Sequence, residues 1–267
     1  MINCKQIANE IKEELKQRLK DNLNDVTPRL AIVQVGDNPA SNNYVKGKIK
    51  DCEEIGIIPS LFKLSEDVSE EKVLELIRSL NDNMYVHGII VQLPLPKHLN
   101  EERILQSIDP KKDVDGFIPN SPFTPCTPLG VLTLLERMGV NVRGKMVTLV
   151  GYGKLVNRPL FPILSDMGAT VAVCRSNTKD IDLENLCWDS EIIITAVGKH
   201  AIIKSRYINN QIVIDCGIEI IDGKQYGDCS EVIYKLIDNV TPRVGGMGLM
   251  TRAALMMNVI EAYEKWN

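Results

Sequence analysis

The stretch Val86-His-Gly-Ile-Ile-Val-Gln-Leu-Pro-Leu-Pro96 most constrains the fold. Its apolar and small residues run into one uncharged amide, Gln92, and stop at two prolines. A short apolar run closed by proline reads as a buried parallel strand. Open α/β sheets bind ligands outside the carboxyl ends of their strands, which is where Gln92 falls. A lone Gln is equally suited to capping a strand, so its meaning depends on the residues around it.

The rest of the chain supports a sheet covered by helices. Apolar Ile7, Ile11, Leu15 and Leu19 stripe a helix over 4–23. Arg29–Val35 reads as a strand, 40–54 as a helix stopped by Gly56, and Leu61–Leu64 as a short strand. Ser69–Leu80 opens with Ser-Glu-Glu-Lys, an N-terminal cap with early acids. The Val86 strand follows, then a helix over 101–107 and the loop Asp109–Gly116. This β-α-β-α-β-α order predicts a parallel sheet. The proline-rich segment 119–128 is a linker, and Thr127-Pro128 starts a helix through Met138. A second α/β series takes in strands 145–150, 170–174, 191–195 and 211–216, with helices over 156–167 and 181–186. A glycine loop at 244–248 precedes a last helix over 251–265. The expected architecture is α/β in two domains: residues 1–138 plus a returning helix 250–267, and a Rossmann-like domain over 139–249.

Composition narrows the function classes. The 267 residues are 44% hydrophobic and 25% charged, ordinary for a globular chain with a real core. A net charge of -4 argues against nucleic acid as the main partner. No apolar run reaches membrane-spanning length, and the N-terminus lacks a signal-peptide core. Seven scattered cysteines make no CxxC or CxxH pair, and the three histidines have no metal-ligand spacing. Reduced thiols, no metal site and a cytoplasmic location are the expectations.

Several clusters carry candidate chemistry. Tyr44 and Lys48 are four apart on the second helix and share a face. A lysine held among apolar groups is a usable general acid/base, whereas a solvated lysine beside a packing tyrosine is the plain alternative. Lys111-Lys-Asp-Val-Asp-Gly116 puts Asp113 and Asp115 in one turn, suited to capping or to a donor-rich heterocycle. Gly151-Tyr152-Gly153 follows a strand and precedes a helix, the context in which a backbone approaches pyrophosphate. Arg175 and Ser176 close the next strand, where an Arg suits a 2′-phosphate and an acid would hold ribose hydroxyls. Gly245–Thr251 is a close-approach loop, over a substrate or between domains.

Together these stretches resemble the bifunctional methylenetetrahydrofolate dehydrogenase/methenyltetrahydrofolate cyclohydrolase family over essentially the whole chain. The resemblance rests on 40–48, Gly88–Pro96, Lys112–Phe117, Pro125-Cys-Thr-Pro128 and Asp215-Cys-Gly-Ile218. It implies Lys48 as catalytic acid/base, Gln92 as its hydrogen-bond partner helping to set its protonation, Tyr44 orienting the folate, and Asp115 binding pterin N–H donors. It implies cofactor contacts from Gly151, Tyr152, Gly153, Arg175, Ser176 and Ile218. NADP is the implied cofactor, with NAD as an alternative, and tetrahydrofolate one-carbon derivatives are the substrates. Two domains flanking a cleft and a homodimer formed through the nucleotide domain complete what it implies.

The chain departs from the family in its nucleotide half. The usual Gly-Arg-Ser-x-x-Val-Gly-x-Pro is here Gly151-Tyr-Gly-Lys-Leu-Val-Asn-Arg-Pro159. Asn157 stands for a glycine, and asparagine tolerates a left-handed backbone. Arg175, where His is frequent, is positioned to take over the 2′-phosphate. A cyclohydrolase with weak, lost or NAD-dependent dehydrogenase activity is one alternative function. A non-catalytic folate- or nucleotide-binding protein is another.

Overall fold

The computed structural model describes residues 1–21 and 26–266. It divides into two compact units: Asn9–Cys126 with the chain from Arg252 onward, and Met1–Ala8 with Thr127–Thr251.

In the first unit, β1 (Arg29–Val35), β2 (Ile58–Leu64) and β3 (Gly88–Val91) form a parallel sheet in the order β2-β1-β3. Helix α1 (Cys4–Asp21), of which residues 9–21 belong to this unit, is amphipathic as expected, and positions 22 and 23 of the predicted helix lie outside the described residues. Central β1 carries Leu30, Ile32 and Val33 fully buried. Each such side chain contributes about 1.5–3 kcal/mol by leaving water. Helix α2 (Pro39–Ile55) connects β1 to β2, and α3 (Glu70–Asp82) connects β2 to β3. Val73, Ile77 and Leu80 give α3 its buried stripe at helical spacing.

Ser69 does stand at the N-cap of α3, but its side chain makes no cap bond. Glu70 instead pairs with Arg103 and accepts from the backbone of Asn100, at the start of α4 (Glu101–Gln106). At its other end, α3 is closed by Lys112, whose Nζ donates to the carbonyls of Leu80, Asn81 and Asn83. Unpaired carbonyls at a helix C-terminus attract such a cation.

In the second unit, α5 (Cys126–Arg137) precedes a parallel sheet of β4 (Met146–Val150), β5 (Thr170–Cys174), β6 (Ile192–Thr195) and β7 (Ile212–Asp215), in the order β5-β4-β6-β7. Helix α6 (Asn157–Asp166) joins β4 to β5, and α7 (Asp180–Asp189) joins β5 to β6. The first strand, β4, has β5 on one side and β6 on the other. The topological switch point therefore lies between β4 and β6.

Two features differ from the sequence reading. A hairpin of β8 (Glu219–Ile221) and β9 (Lys224–Tyr226) and the short helix α8 (Ile233–Leu236) follow β7. The final helix, α9 (Met247–Trp266), starts four residues earlier than expected and absorbs Met247–Thr251, which read as loop. The bend is confined to its entry, where Gly245 has φ +75° and a Cβ on Gly246 would lie 1.9 Å from the carbonyl oxygen of Pro242.

Candidate active site

The first unit brings Lys48, Gln92 and Tyr44 together. Lys48 is 6% exposed on α2, and its Nζ donates to Gln92 Oε1 at 3.1 Å. The same ammonium lies 5.7 Å from the ring centroid of Tyr44, one helical turn earlier. Gln92 sits just past β3, where its backbone N–H extends the ladder to Val33 O. Its Nε2 donates to Leu93 O at 2.7 Å, which fixes the amide so that Oε1 faces the lysine. The flanking lysines, Lys46 and Lys50, are exposed.

The two carboxylates of the 109–116 loop have separate environments. Asp113 is 1% exposed and accepts from the backbone of Ile118. Burial pushes its carboxyl up to about 6. It is a structural tie. Asp115 is half-buried, in a turn completed by Gly116 at φ +71°. A Cβ at Gly116 would meet Phe123 O at 2.7 Å, so the turn requires glycine.

Sequence reasoning missed the residues that hold this loop. Asn258 of α9 donates to Val114 O at 2.8 Å and to Thr124 O at 3.0 Å. The buried thiol of Cys126 also donates to Val114 O. Arg252 pairs with Asp51 at 3.1 Å, and Lys12 reaches the same carboxylate at 3.2 Å. These contacts join positions far apart in the chain.

In the second unit, the glycine turn leaves β4 with Gly151 at φ +87°, and a Cβ there would lie 2.7 Å from Ala196 O. Gly153 is exposed, with open space where a side chain would be. Asn157 does not take the left-handed conformation considered for it. It begins α6, fully buried, and its Nδ2 donates to Val150 O at 2.9 Å and Gly151 O at 3.0 Å. It replaces glycine by crosslinking the turn, a use its tolerance of positive φ does not reveal.

Arg175 and Ser176 are exposed at the end of β5. The Arg175 guanidinium stacks 4.4 Å from the ring centroid of Tyr152, which meets Phe161 edge-on. Ile218 is 47% exposed beyond β7. A bare glycine turn, a following helix N-terminus and an exposed guanidinium fit a dinucleotide bearing a 2′-phosphate. Among the described residues, no group of three or more His, Cys, Asp or Glu is placed to hold a metal ion, and no helix is long and apolar enough to cross a membrane.

The fold and these sites define a two-unit α/β protein with a Rossmann-like nucleotide-binding unit. Residues 2–115 match the tetrahydrofolate dehydrogenase/cyclohydrolase catalytic domain, and residues 125–267 match that family's NAD(P)-binding domain. The chain belongs to the tetrahydrofolate dehydrogenase/cyclohydrolase family. A bifunctional protein FolD of Aquifex aeolicus is 41% identical over 98% of this chain and 92% of its own. The bifunctional FolD dehydrogenase/cyclohydrolase of Campylobacter jejuni is 40% identical, with a TM-score of 0.92 over 99% of this chain and 98% of that one. The Trypanosoma brucei FolD enzyme, solved with NADP and an inhibitor, is 27% identical with a TM-score of 0.92, over 99% of this chain and 97% of that one.

Proposed function

We propose that the chain oxidises methylenetetrahydrofolate to methenyltetrahydrofolate with NADP and hydrolyses that product to 10-formyltetrahydrofolate. The observation that carries this reading is the pairing of buried Lys48 with Gln92, with Tyr44 on the same helix face. A binding protein has no need of a buried lysine aimed by a fixed amide.

In this reading, Lys48 assists water in attacking the methenyl carbon and moves the proton that the attack releases. Gln92 accepts one lysine hydrogen and fixes the direction of Nζ. Tyr44 packs against the flat pterin and orients it. Asp115, with Asp113 already committed to the loop backbone, accepts from the pterin's N–H groups. Gly151 and Gly153 let the backbone approach the cofactor's pyrophosphate, with Ile218 beside it. Arg175, supported by Tyr152 and Ser176, holds the 2′-phosphate. The bound nicotinamide supplies the hydride acceptor for the oxidation.

The seven free thiols suit a cytoplasmic location, and we place the working state as a homodimer through the nucleotide-binding unit. Sedimentation velocity reads that state. Steady-state assays with methylenetetrahydrofolate and each nucleotide test the reaction. Turnover favouring NADP is the expected result. Hydrolysis of the methenyl compound without hydride transfer to either nucleotide would reduce the chain to a cyclohydrolase.

A further inference from the structure

The second unit contains a buried carboxylate that the proposed reaction does not use. Asp228 follows β9 and is completely buried. Its Oδ2 accepts from Thr195 Oγ1 and from the backbone N–H of Val197, both at 2.7 Å. Its Oδ1 accepts from the backbone N–H of Lys199 at 2.9 Å. Three donors therefore converge on one carboxylate, all from the segment leaving β6.

That segment is one lip of the switch point. The loops after β4 and β6 bound the crevice where the strand order reverses. They touch: the Cβ position at Gly151 lies 2.7 Å from Ala196 O and 3.1 Å from Val197 Cγ2. Asp228 also underlies the other predicted cofactor segment. A Cβ on Gly217, just before Ile218, would lie 2.0 Å from Asp228 Oδ1, so the carboxylate packs against bare backbone there. A second buried carboxylate, Asp215, holds the base of the arrangement. Its Oδ1 accepts from the backbone N–H groups of Gly217 and Asp228, at 2.9 and 3.1 Å, and its Oδ2 accepts from Tyr234 at 2.6 Å.

We infer that Asp228 is a positioning residue for the dinucleotide, holding segment 195–199 as the fixed lip against which the cofactor binds. This rests on the NADP reading of the second unit. Isolating one N–H or hydroxyl in a buried site costs its full desolvation, so a carboxylate serving three donors locks the lip in one conformation. An amide cannot replace it. Whichever way an Asn at 228 turns, its NH2 faces a backbone N–H, of Val197 or of Lys199. The lip contacts the cofactor without sensing the 2′-phosphate, which Arg175 reads at the end of β5.

The test is calorimetric titration of the full chain with NADP and, separately, with NAD. Asp228→Asn should raise Kd for both nucleotides by a common factor of tenfold or more. Thr195→Val, nearly isosteric and removing one donor, should raise both about threefold. Arg175→Ala should raise Kd for NADP alone. Thermal melting identifies an Asp228→Asn that does not fold, in which case Thr195→Val decides. Unchanged affinities in Thr195→Val and in folded Asp228→Asn overturn the inference while leaving the NADP reading intact. Wild-type chain that binds neither nucleotide overturns both.

Discussion

The guanidinium of Arg252 occupies the space that a side chain on Gly47 would need: Nη1 lies 1.6 Å from the Cβ position. Arg252 also holds Asp51, one turn further along α2. Gly47→Ala should therefore destabilise the first unit by about 1–2 kcal/mol, because displacing Arg252 weakens its partly buried ion pair with Asp51. In an Arg252→Ala background the same change should stabilise by about 0.5–1 kcal/mol, the usual gain of Ala over Gly within a helix. Denaturant melts of the four proteins check this change of sign.

Lys48→Met should lower cyclohydrolase turnover by about 100-fold or more, the range for losing a general acid/base. Gln92→Ala should cost about tenfold, in keeping with one lost hydrogen bond to a charged group. Both variants should fold with unchanged circular dichroism. Wild-type hydrolysis in Lys48→Met would remove lysine from the reaction.

Arg175→Ala should raise KM for NADP by roughly 10- to 100-fold and leave KM for NAD unchanged, since a charge-assisted bond to phosphate is at stake. Tyr152→Ala should raise KM for NADP about two- to fivefold through loss of the stacked guanidinium, and Tyr152→Phe should restore it. Equal effects on both nucleotides would place the 2′-phosphate elsewhere.

Asp113 makes stability depend on pH in a defined window. Its folded value is about 6 against an ordinary value of 3.8, so the fold binds the proton more tightly than the unfolded chain. Stability from this group is complete below about pH 4 and is lost as pH rises through 6, by on the order of 3 kcal/mol. Asp113→Asn retains an oxygen for the Ile118 N–H and carries no charge. It should flatten the pH dependence of unfolding between 4 and 7, measured by urea melts. A slope identical to wild type would assign that dependence to other groups.

Lys112→Met should destabilise the first unit by about 2 kcal/mol, because the α3 carbonyls lose their donor. Activity per folded molecule should persist. Hydrogen exchange should rise first in the last turn of α3. Unchanged protection there would mean that the cap contributes nothing.

The parallel architecture was legible because buried strands such as Ile89–Val91 leave continuous apolar runs, and helices such as α3 leave a periodic stripe. Lys48 and Gln92 were legible because each lies at the end or on the face of such an element. Lys112 was not, since its side chain answers carbonyls 29 to 32 residues away. Asp228 was hidden for the same reason. The β8–β9 hairpin had a readable signal, Asp222-Gly223, and both residues take positive φ as a two-residue turn demands. Three-residue strands with no buried position left too little apolar alternation beside it.

Neither unit is a continuous piece of the chain. Residues 1–8 belong with 127–251, and the segment from Arg252 belongs with 9–126. On the ribosome, Lys48, Gln92 and Asp115 are all made long before Arg252 and Asn258, which brace their surroundings. The catalytic half is thus mostly made early yet completed only after residue 251, and it waits through the synthesis of residues 127–251. A cut at 126 would give two fragments, each lacking a segment of its own core.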